Sequence, residues 1–91
     1  MMDSEFDPKK DAENLTKHDL SLADGDGVLV DPMALTIEDV SSIGERRWVT
    51  IGANTFGALL VAVWTDRDDK TRLISVRRAT AKERKSYEKG I

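Results

Sequence analysis

A chain of 91 residues has the length of one small domain, and 40% hydrophobic with 34% charged residues is typical of a globular protein. Cysteine is absent, which excludes disulfides and thiolate metal sites and fits a cytoplasmic protein. No apolar run reaches the roughly 18 residues of a membrane span, and the acidic N-terminal stretch is unlike a signal peptide. We expect a single domain over residues 1–91, with residues 1–5 frayed.

The net charge of −3 conceals opposite charges in the two halves of the chain. Residues 1–45 contain three Lys and no Arg against twelve acidic residues, a balance of −9. Residues 46–91 contain eleven cations against five acidic residues, a balance of +6. The basic half is compatible with a nucleic-acid partner. Mutual neutralisation of the two halves within the fold would explain the pattern equally well.

The first helix is predicted from its N-terminal signal. Asp7 is a favoured N-cap residue, and Pro8 is tolerated at the first helical position because its missing N–H has no partner there. We expect a helix from Pro8 to about His18, with Ala12 and Leu15 facing inward. A short edge strand is expected to begin at Phe6.

A second, weaker helix is predicted after Ser21, which can act as its N-cap. Gly25 and Gly27 each cost a helix about 1 kcal/mol relative to Ala. The Asp-Gly-Asp-Gly sequence over residues 24–27 lacks the alternating ligands and the distal Glu of a calcium-binding EF-hand loop. We therefore interpret the segment as part of a helix.

Four strands and a closing helix complete the predicted fold. Thr80 with Glu83 three residues later forms a capping box and predicts the start of the closing helix. The short connections between the last three strands favour an antiparallel arrangement. We predict an α+β fold: an antiparallel β-sheet meander with two N-terminal helices and one short C-terminal helix. The predicted strands are Ala34–Asp39, Arg46–Gly52, Ala58–Asp66 and Thr71–Arg78.

Arginine residues alternate along two of these strands. In a regular strand, neighbouring side chains point to opposite faces of the sheet. Arg72 and Arg78 are therefore predicted to share one face, and we favour Arg78 over Arg77 as the residue that contacts a phosphate. Of Arg46 and Arg47, one is expected to face a ligand and the other to pair with an acidic residue of the first half.

The candidate chemistry is RNA cleavage without a metal ion or cofactor. The chain has no phosphate-binding glycine loop, and its single His cannot form a zinc site. In RNA the ribose 2′-hydroxyl attacks its own phosphate, arginines stabilise the charge that develops, and side chains move protons. His18, Lys82 and Tyr87 are the candidates for proton transfer.

Each candidate also has a purely structural interpretation. His18 lies where a histidine can cap the carbonyl groups at a helix C-terminus. Tyr87 can pack the closing helix onto the sheet. Trp48 and Trp64 are more often core or interface residues than platforms for stacked bases.

Four stretches carry a family resemblance through their order and spacing. They are Phe6-Asp7-Pro8-Lys9 with Asn14-Leu15-x-Lys17-His18 and Ser21; Asp31-Pro32 with Ala34-Leu35; Glu45-Arg46-x-Trp48-x-x-Ile51-Gly52; and Arg72-x-Ile74-Ser75-x-Arg77-Arg78-Ala79-Thr80 with Glu83-Arg84 and Tyr87-Glu88. Together they resemble the BrnT family of small toxins from bacterial type II toxin–antitoxin systems, from about Phe6 to Glu88.

The resemblance implies a RelE-like fold and a ribonuclease that inhibits translation. It also implies a BrnA-like ribbon-helix-helix antitoxin, in a complex of two toxins and two antitoxins that reaches promoter DNA only through the antitoxin. The residues and the resemblance together give two groups of candidates. The catalytic group is Arg72, Arg77, Arg78, Tyr87 and His18; the RNA-binding group is Arg46, Arg47, Lys82 and Arg84.

A binding module is the alternative function. In that interpretation the toxin fold has little or no nuclease activity and serves mainly as the antitoxin's partner and co-repressor. The chain departs from the family pattern in three ways, and one is that its second helix lacks the usual Glu-Glu-Ala. The usual Gly after the histidine is Asp19, which removes the easiest left-handed cap for that helix. The chain is also acidic, where such toxins are commonly more basic.

Overall fold

A five-stranded sheet in the order β1-β5-β4-β3-β2 organises the chain. The computed structural model describes residues 4–41 and 43–90. β1 is parallel to β5, and the other neighbouring strands are antiparallel. The fold is therefore α+β with a mixed sheet, and the prediction of a purely antiparallel sheet is wrong for β1. The elements are β1 (Ser4–Glu5), α1 (Pro8–His18), α2 (Gly25–Leu29), β2 (Leu35–Asp39), β3 (Arg47–Ala53), β4 (Leu59–Arg67), β5 (Lys70–Arg78) and α3 (Ala81–Lys89).

Helices α1 and α3 begin where the sequence predicts them, whereas α2 begins at Gly25, three residues later than a helix capped by Ser21 would. The Asp7 carboxylate caps α1 by accepting a hydrogen bond from the Lys9 backbone N–H at 2.9 Å. After Ser21, a short 3-10 turn leads into α2, which is confirmed but only five residues long. The capping box that opens α3 is also present. Within residues 4–41 and 43–90, no helix is long and apolar enough to cross a membrane.

The N-terminal stretch is more ordered than predicted. Residues 1–3 lie outside the described residues, so fraying there stays a prediction. Ser4 and Glu5 pair with Thr71 and Arg72, so the prediction of fraying is wrong for these two residues. Phe6 was predicted to begin an edge strand, but it follows β1 and packs against the core.

One face of the sheet carries the hydrophobic core, and we call it the core face. Its buried side chains come from the strands and from the segment that contains α2. β4 supplies Leu60 and Ala62, so alternate residues of this strand point to the core. The cluster consists of Leu22, Val28, Leu60, Ala62, Leu73 and Val76.

Helix α1 packs against β5 through an asparagine. The predicted inward residues are wrong: Ala12 is exposed and Leu15 is 47% exposed, whereas Asn14 is 5% exposed. The Asn14 side chain accepts a hydrogen bond from Val76 N at 3.0 Å and donates one to Val76 O at 2.9 Å. β1 pairs only with the first part of β5, so beyond it α1 supplies the hydrogen bonds that a further strand would otherwise make.

A β-bulge interrupts the regular alternation of β5. Leu73 lies opposite Trp64 in β4, but Ser75 lies opposite Val63, so Ile74 is an extra residue in the strand. An extra residue shifts every later side chain of the strand to the other face relative to a regular strand.

The bulge changes which arginines share a face. Arg72 lies opposite Thr65 and Arg77 lies opposite Val61, and these two β4 residues point to the same face. Arg78 lies opposite a core residue, on the core face. The prediction that Arg72 shares its face with Arg78 is therefore wrong, because Arg72 shares it with Arg77.

Candidate functional site

Four arginines lie on the sheet face opposite the core, which we call the basic face: Arg47, Arg67, Arg72 and Arg77. Arg47 precedes Trp48, whose partner Trp64 lies on the core side, so alternation places Arg47 on the basic face. It lies two strands from Arg72, a separation of about 10 Å at the usual strand spacing. The basic face thus presents cations on both outer sides of β4.

The centre of the basic face is apolar. It is formed by alternate residues of β2, β3 and β4 in register with one another. Val61 is fully buried, whereas Ile37 on the edge strand β2 is 67% exposed. The basic face therefore has an apolar centre that is accessible on its β2 side, with arginines beside it. Its central residues are Leu35, Ile37, Val49, Ile51, Val61 and Val63.

Arg77 is held by Glu83 at the start of α3. The two guanidinium nitrogens Nη1 and Nη2 donate to the two Glu83 carboxylate oxygens at 2.7 and 2.8 Å. These hydrogen bonds from Arg77 lower the pKa of Glu83 to about 2, so the pair is ionised at neutral pH. Nη1 also donates to the Arg78 carbonyl at 3.2 Å. A guanidinium has five N–H donors, so others remain for a ligand.

Tyr87 anchors the other end of α3. Its hydroxyl donates a 2.6 Å hydrogen bond to the Asp31 carboxylate, which also accepts the Ala53 backbone N–H at 2.8 Å. The bond to Asp31 raises the pKa of Tyr87, so the phenol stays protonated at neutral pH. A protonated hydroxyl suits a proton donor better than a general base.

The other arginines of the basic face also have acidic neighbours from the first half of the chain, and Arg67 donates to Glu45 at 3.1 Å. Arg72 lies 3.6 Å from the Glu5 carboxylate, and its side chain is 24% exposed. Arg47 Nε lies 3.8 Å from the Glu45 carboxylate. This nitrogen is buried and makes no hydrogen bond with the described residues. Arg47 therefore retains a donor without a close acceptor at the rim of the basic face.

Arg46 is placed away from the basic face. It donates to both carboxylate oxygens of Glu38, at 3.1 and 3.2 Å, and its guanidinium lies 5.2 Å from the centre of the Trp48 ring. Trp48 in turn stacks on Trp64 at 6.0 Å, and Trp64 packs against the core. The prediction that one of the adjacent arginines pairs with an acidic residue of the first half is confirmed.

The remaining candidates do not converge with these arginines. Arg78 donates a 3.2 Å hydrogen bond to the backbone carbonyl of His18, at the end of α1. Lys82 and Arg84 are exposed on α3. Among residues 4–41 and 43–90, no group of three or more His, Asp or Glu side chains could hold a metal ion.

Sequence reasoning missed two residues that shape this site. Glu83 was identified only as part of a capping box, although it also binds Arg77. Asp31 was interpreted only as a break before Pro32, although it receives the Tyr87 hydroxyl. The resemblance includes both positions, but Tyr87 lies 56 residues from Asp31, and no local pattern links Glu83 to Arg77 across the turn between β5 and α3.

The fold and the basic face define a small α+β protein with a cationic sheet surface suited to a polyanionic ligand. The crystal structure of the Brucella abortus ribonuclease toxin BrnT has a similar fold. The match covers 88% of this chain and 99% of that one, with a TM-score of 0.66 and 22% sequence identity. No match was found among curated proteins. The family model for the ribonuclease toxin BrnT of type II toxin–antitoxin systems matches residues 6–83, and the chain therefore belongs to that family.

Proposed function

We propose that this protein is a metal-independent endoribonuclease toxin that cleaves RNA, inhibits translation and is neutralised by a cognate antitoxin. The observation that carries the proposal is the shared face of Arg72 and Arg77, produced by the bulge at Ile74. Two cations on one strand and a third across β4 match the spaced negative charges of an RNA backbone. We further propose that the fold is RelE-like and that the protein acts in the cytoplasm.

In the proposed mechanism the 2′-hydroxyl of the substrate attacks the adjacent phosphorus. Arg77 donates its free N–H groups to the phosphate oxygens as negative charge develops there. Glu83 fixes the plane of the guanidinium through two hydrogen bonds, so its orientation is set before substrate binds. Arg72 and Arg47 hold the flanking phosphates.

Proton transfer is assigned to the remaining candidates. Tyr87 is protonated and suits donation to the leaving 5′-oxygen. His18, whose imidazole can accept and donate a proton, is the candidate base. Lys82 is a further candidate for proton transfer, and Arg84 and Arg46 for contacts with RNA beyond the cleaved bond. Arg78 would act through the His18 carbonyl by fixing the end of α1.

The proposed partner is a BrnA-like ribbon-helix-helix antitoxin in a complex of two toxins and two antitoxins. Large apolar side chains are exposed on and around the edge strand β2: Met33 is 60%, Ile37 67%, Val40 90% and Ile43 97% exposed. Apolar surface of this kind is typical of a protein interface. Promoter DNA would be contacted only through the antitoxin.

A non-catalytic binding module is the second candidate, and one observation favours it. Each arginine of the basic face already has a glutamate of the same chain within 4 Å. If these pairs persist against RNA, the face is neutralised and the protein serves as the antitoxin's partner and co-repressor.

Cleavage of RNA by the purified protein, with EDTA present, separates the two functions. We expect the wild type to cleave single-stranded RNA, and Arg77→Ala to lower the rate by about 10² to 10³, the usual effect of removing one donor to a transition-state oxyanion. Lys85→Ala, an exposed position on α3, is the control. Harmless induction of the wild type in cells, with no RNA cleaved in vitro, would establish the binding module instead.

A further inference from the structure

A groove of about 670 Å³ runs between α1 and β5, away from the apolar centre of the basic face. One wall is the outer surface of α1 and the other is β5 at its bulge. Asn14 closes the floor, where its side chain bonds the backbone of β5. The wall residues that matter here are Lys9, Lys10, Lys17, His18, Ile74 and Ser75.

The charge of this groove is opposite to that of the segment that builds it. Residues 1–45 carry a net charge of −9, with only three lysines and no arginine. All three of those lysines, Lys9, Lys10 and Lys17, line the groove. Glu13 is the one acidic residue in its described lining. The acidic half of the chain therefore concentrates all its lysines on one surface, which neutralisation of the basic half does not require.

The groove is continuous with the basic face through β5. Ser75 lines the groove and, opposite Val63, lies on the basic face. It stands between Arg72 and Arg77 in the strand, about 7 Å from Arg77 at the usual rise per residue. A chain that crosses the basic face at Arg77 can therefore pass over Ser75 into the groove without leaving cationic surface.

We propose that this groove binds the backbone of single-stranded RNA on one side of the cleaved bond. The inference rests on the proposed ribonuclease function and adds a subsite to it. Lysines bind phosphates as flexible point charges, which suits a strand held without regard to sequence. Ile74, displaced by the bulge, supplies an apolar contact for a ribose or base. The site makes the enzyme prefer substrates several nucleotides long over a dinucleotide.

The test compares two RNA substrates, a dinucleotide and a 12-nucleotide strand, with the triple variant Lys9→Gln, Lys10→Gln, Lys17→Gln. For the 12-mer we expect KM to rise about tenfold with kcat unchanged, and the slope of log KM against log salt to fall by about 2, since each lysine–phosphate contact contributes about 0.7 for a single strand. Cleavage of the dinucleotide should not change, because it has no phosphate beyond the cleaved bond for the three lysines to bind.

The control variant removes three exposed lysines outside the groove: Lys70→Gln, Lys85→Gln and Lys89→Gln. It changes the net charge by the same amount and should leave KM for the 12-mer within about twofold of the wild type, since local contacts dominate over net charge.

Equal effects of both triple variants, or no effect of either, would show that the groove does not bind RNA. Unchanged RNA kinetics with weaker binding to the proposed antitoxin would show that the groove binds a protein partner instead. A wild type that cleaves neither RNA would refute the proposed function itself.

Discussion

At the scale of single residues, Arg77 and Glu83 link the start of α3 to the basic face. Glu83 takes part in two interactions at once. Its carboxylate binds Arg77 and also accepts the Thr80 backbone N–H in the capping box. An acid that serves both a helix cap and an arginine fixes the helix and the guanidinium together. The stability of α3 and the orientation of Arg77 are therefore coupled.

This coupling predicts a specific pH dependence for Glu83→Gln. Glutamine preserves the capping box but removes the charge. The folded pKa of Glu83 is about 2, below the usual 4.5, so its contribution to stability is complete above pH 4.5 and is lost as the pH falls towards 2. We expect the variant to be less stable by about 1 kcal/mol at pH 7, a value reduced for partial exposure, and equally stable near pH 2.

Urea unfolding of both proteins at pH 7, 4 and 2.5 measures this difference. Glu88→Gln, at an exposed position on the same helix, is the matched control and should show no such convergence. A stability difference between wild type and Glu83→Gln that stays constant over the whole range would show that the ion pair contributes nothing.

At the scale of elements, local signals determined what could be predicted from sequence. The bounds of α1 and the start of α3 follow from capping residues a few positions away, and both are confirmed. The bulge at Ile74 has no local signature, because it is defined by pairing with β4. Missing it reversed the assignment of Arg77 and Arg78 to the two faces. Local patterns give the elements, whereas the grouping of side chains into a site depends on register.

Helix α1 shows the same limit of sequence reasoning. Its inward residue is the polar Asn14, so a search for apolar periodicity selects the wrong positions. The amide bonds both backbone groups of Val76 and also donates to Leu20 O at 2.7 Å. It therefore joins the edge of β5 to the turn after α1.

Asn14→Ala is consequently expected to destabilise the protein by about 2–4 kcal/mol, because it leaves buried backbone groups of Val76 without partners. Glu13→Ala, exposed on the same helix, should cost less than about 0.5 kcal/mol. The midpoints of urea unfolding measure both changes. A loss below about 1 kcal/mol for Asn14→Ala would mean that water replaces the amide at the strand edge.

At the scale of the whole molecule, the opposite charges of the two halves meet across the fold. Four ion pairs join a glutamate of the first 45 residues to an arginine of the second half. The interpretation of mutual neutralisation from sequence thus holds for these arginines. The lysines of α1 are outside these pairs and lie together along the groove, where Glu13 is the one acidic residue of the described lining. The pairs are Arg46–Glu38, Arg47–Glu45, Arg67–Glu45 and Arg72–Glu5.

Because these pairs are partly exposed, salt should weaken them. The net charge of −3 leaves little overall repulsion for salt to relieve, so screening of the attractive pairs should dominate. We expect the free energy of unfolding to fall by about 1 kcal/mol between 0.05 and 0.5 M KCl, the combined size of several surface pairs. Urea unfolding at each KCl concentration measures this change in the free energy of unfolding.

Replacing Glu45, which neighbours two of the arginines, by Gln should reduce this salt dependence, whereas Glu88→Gln should leave it unchanged. A protein that becomes more stable with salt would show that the net repulsion of its acidic half outweighs the pairs that join it to the basic half.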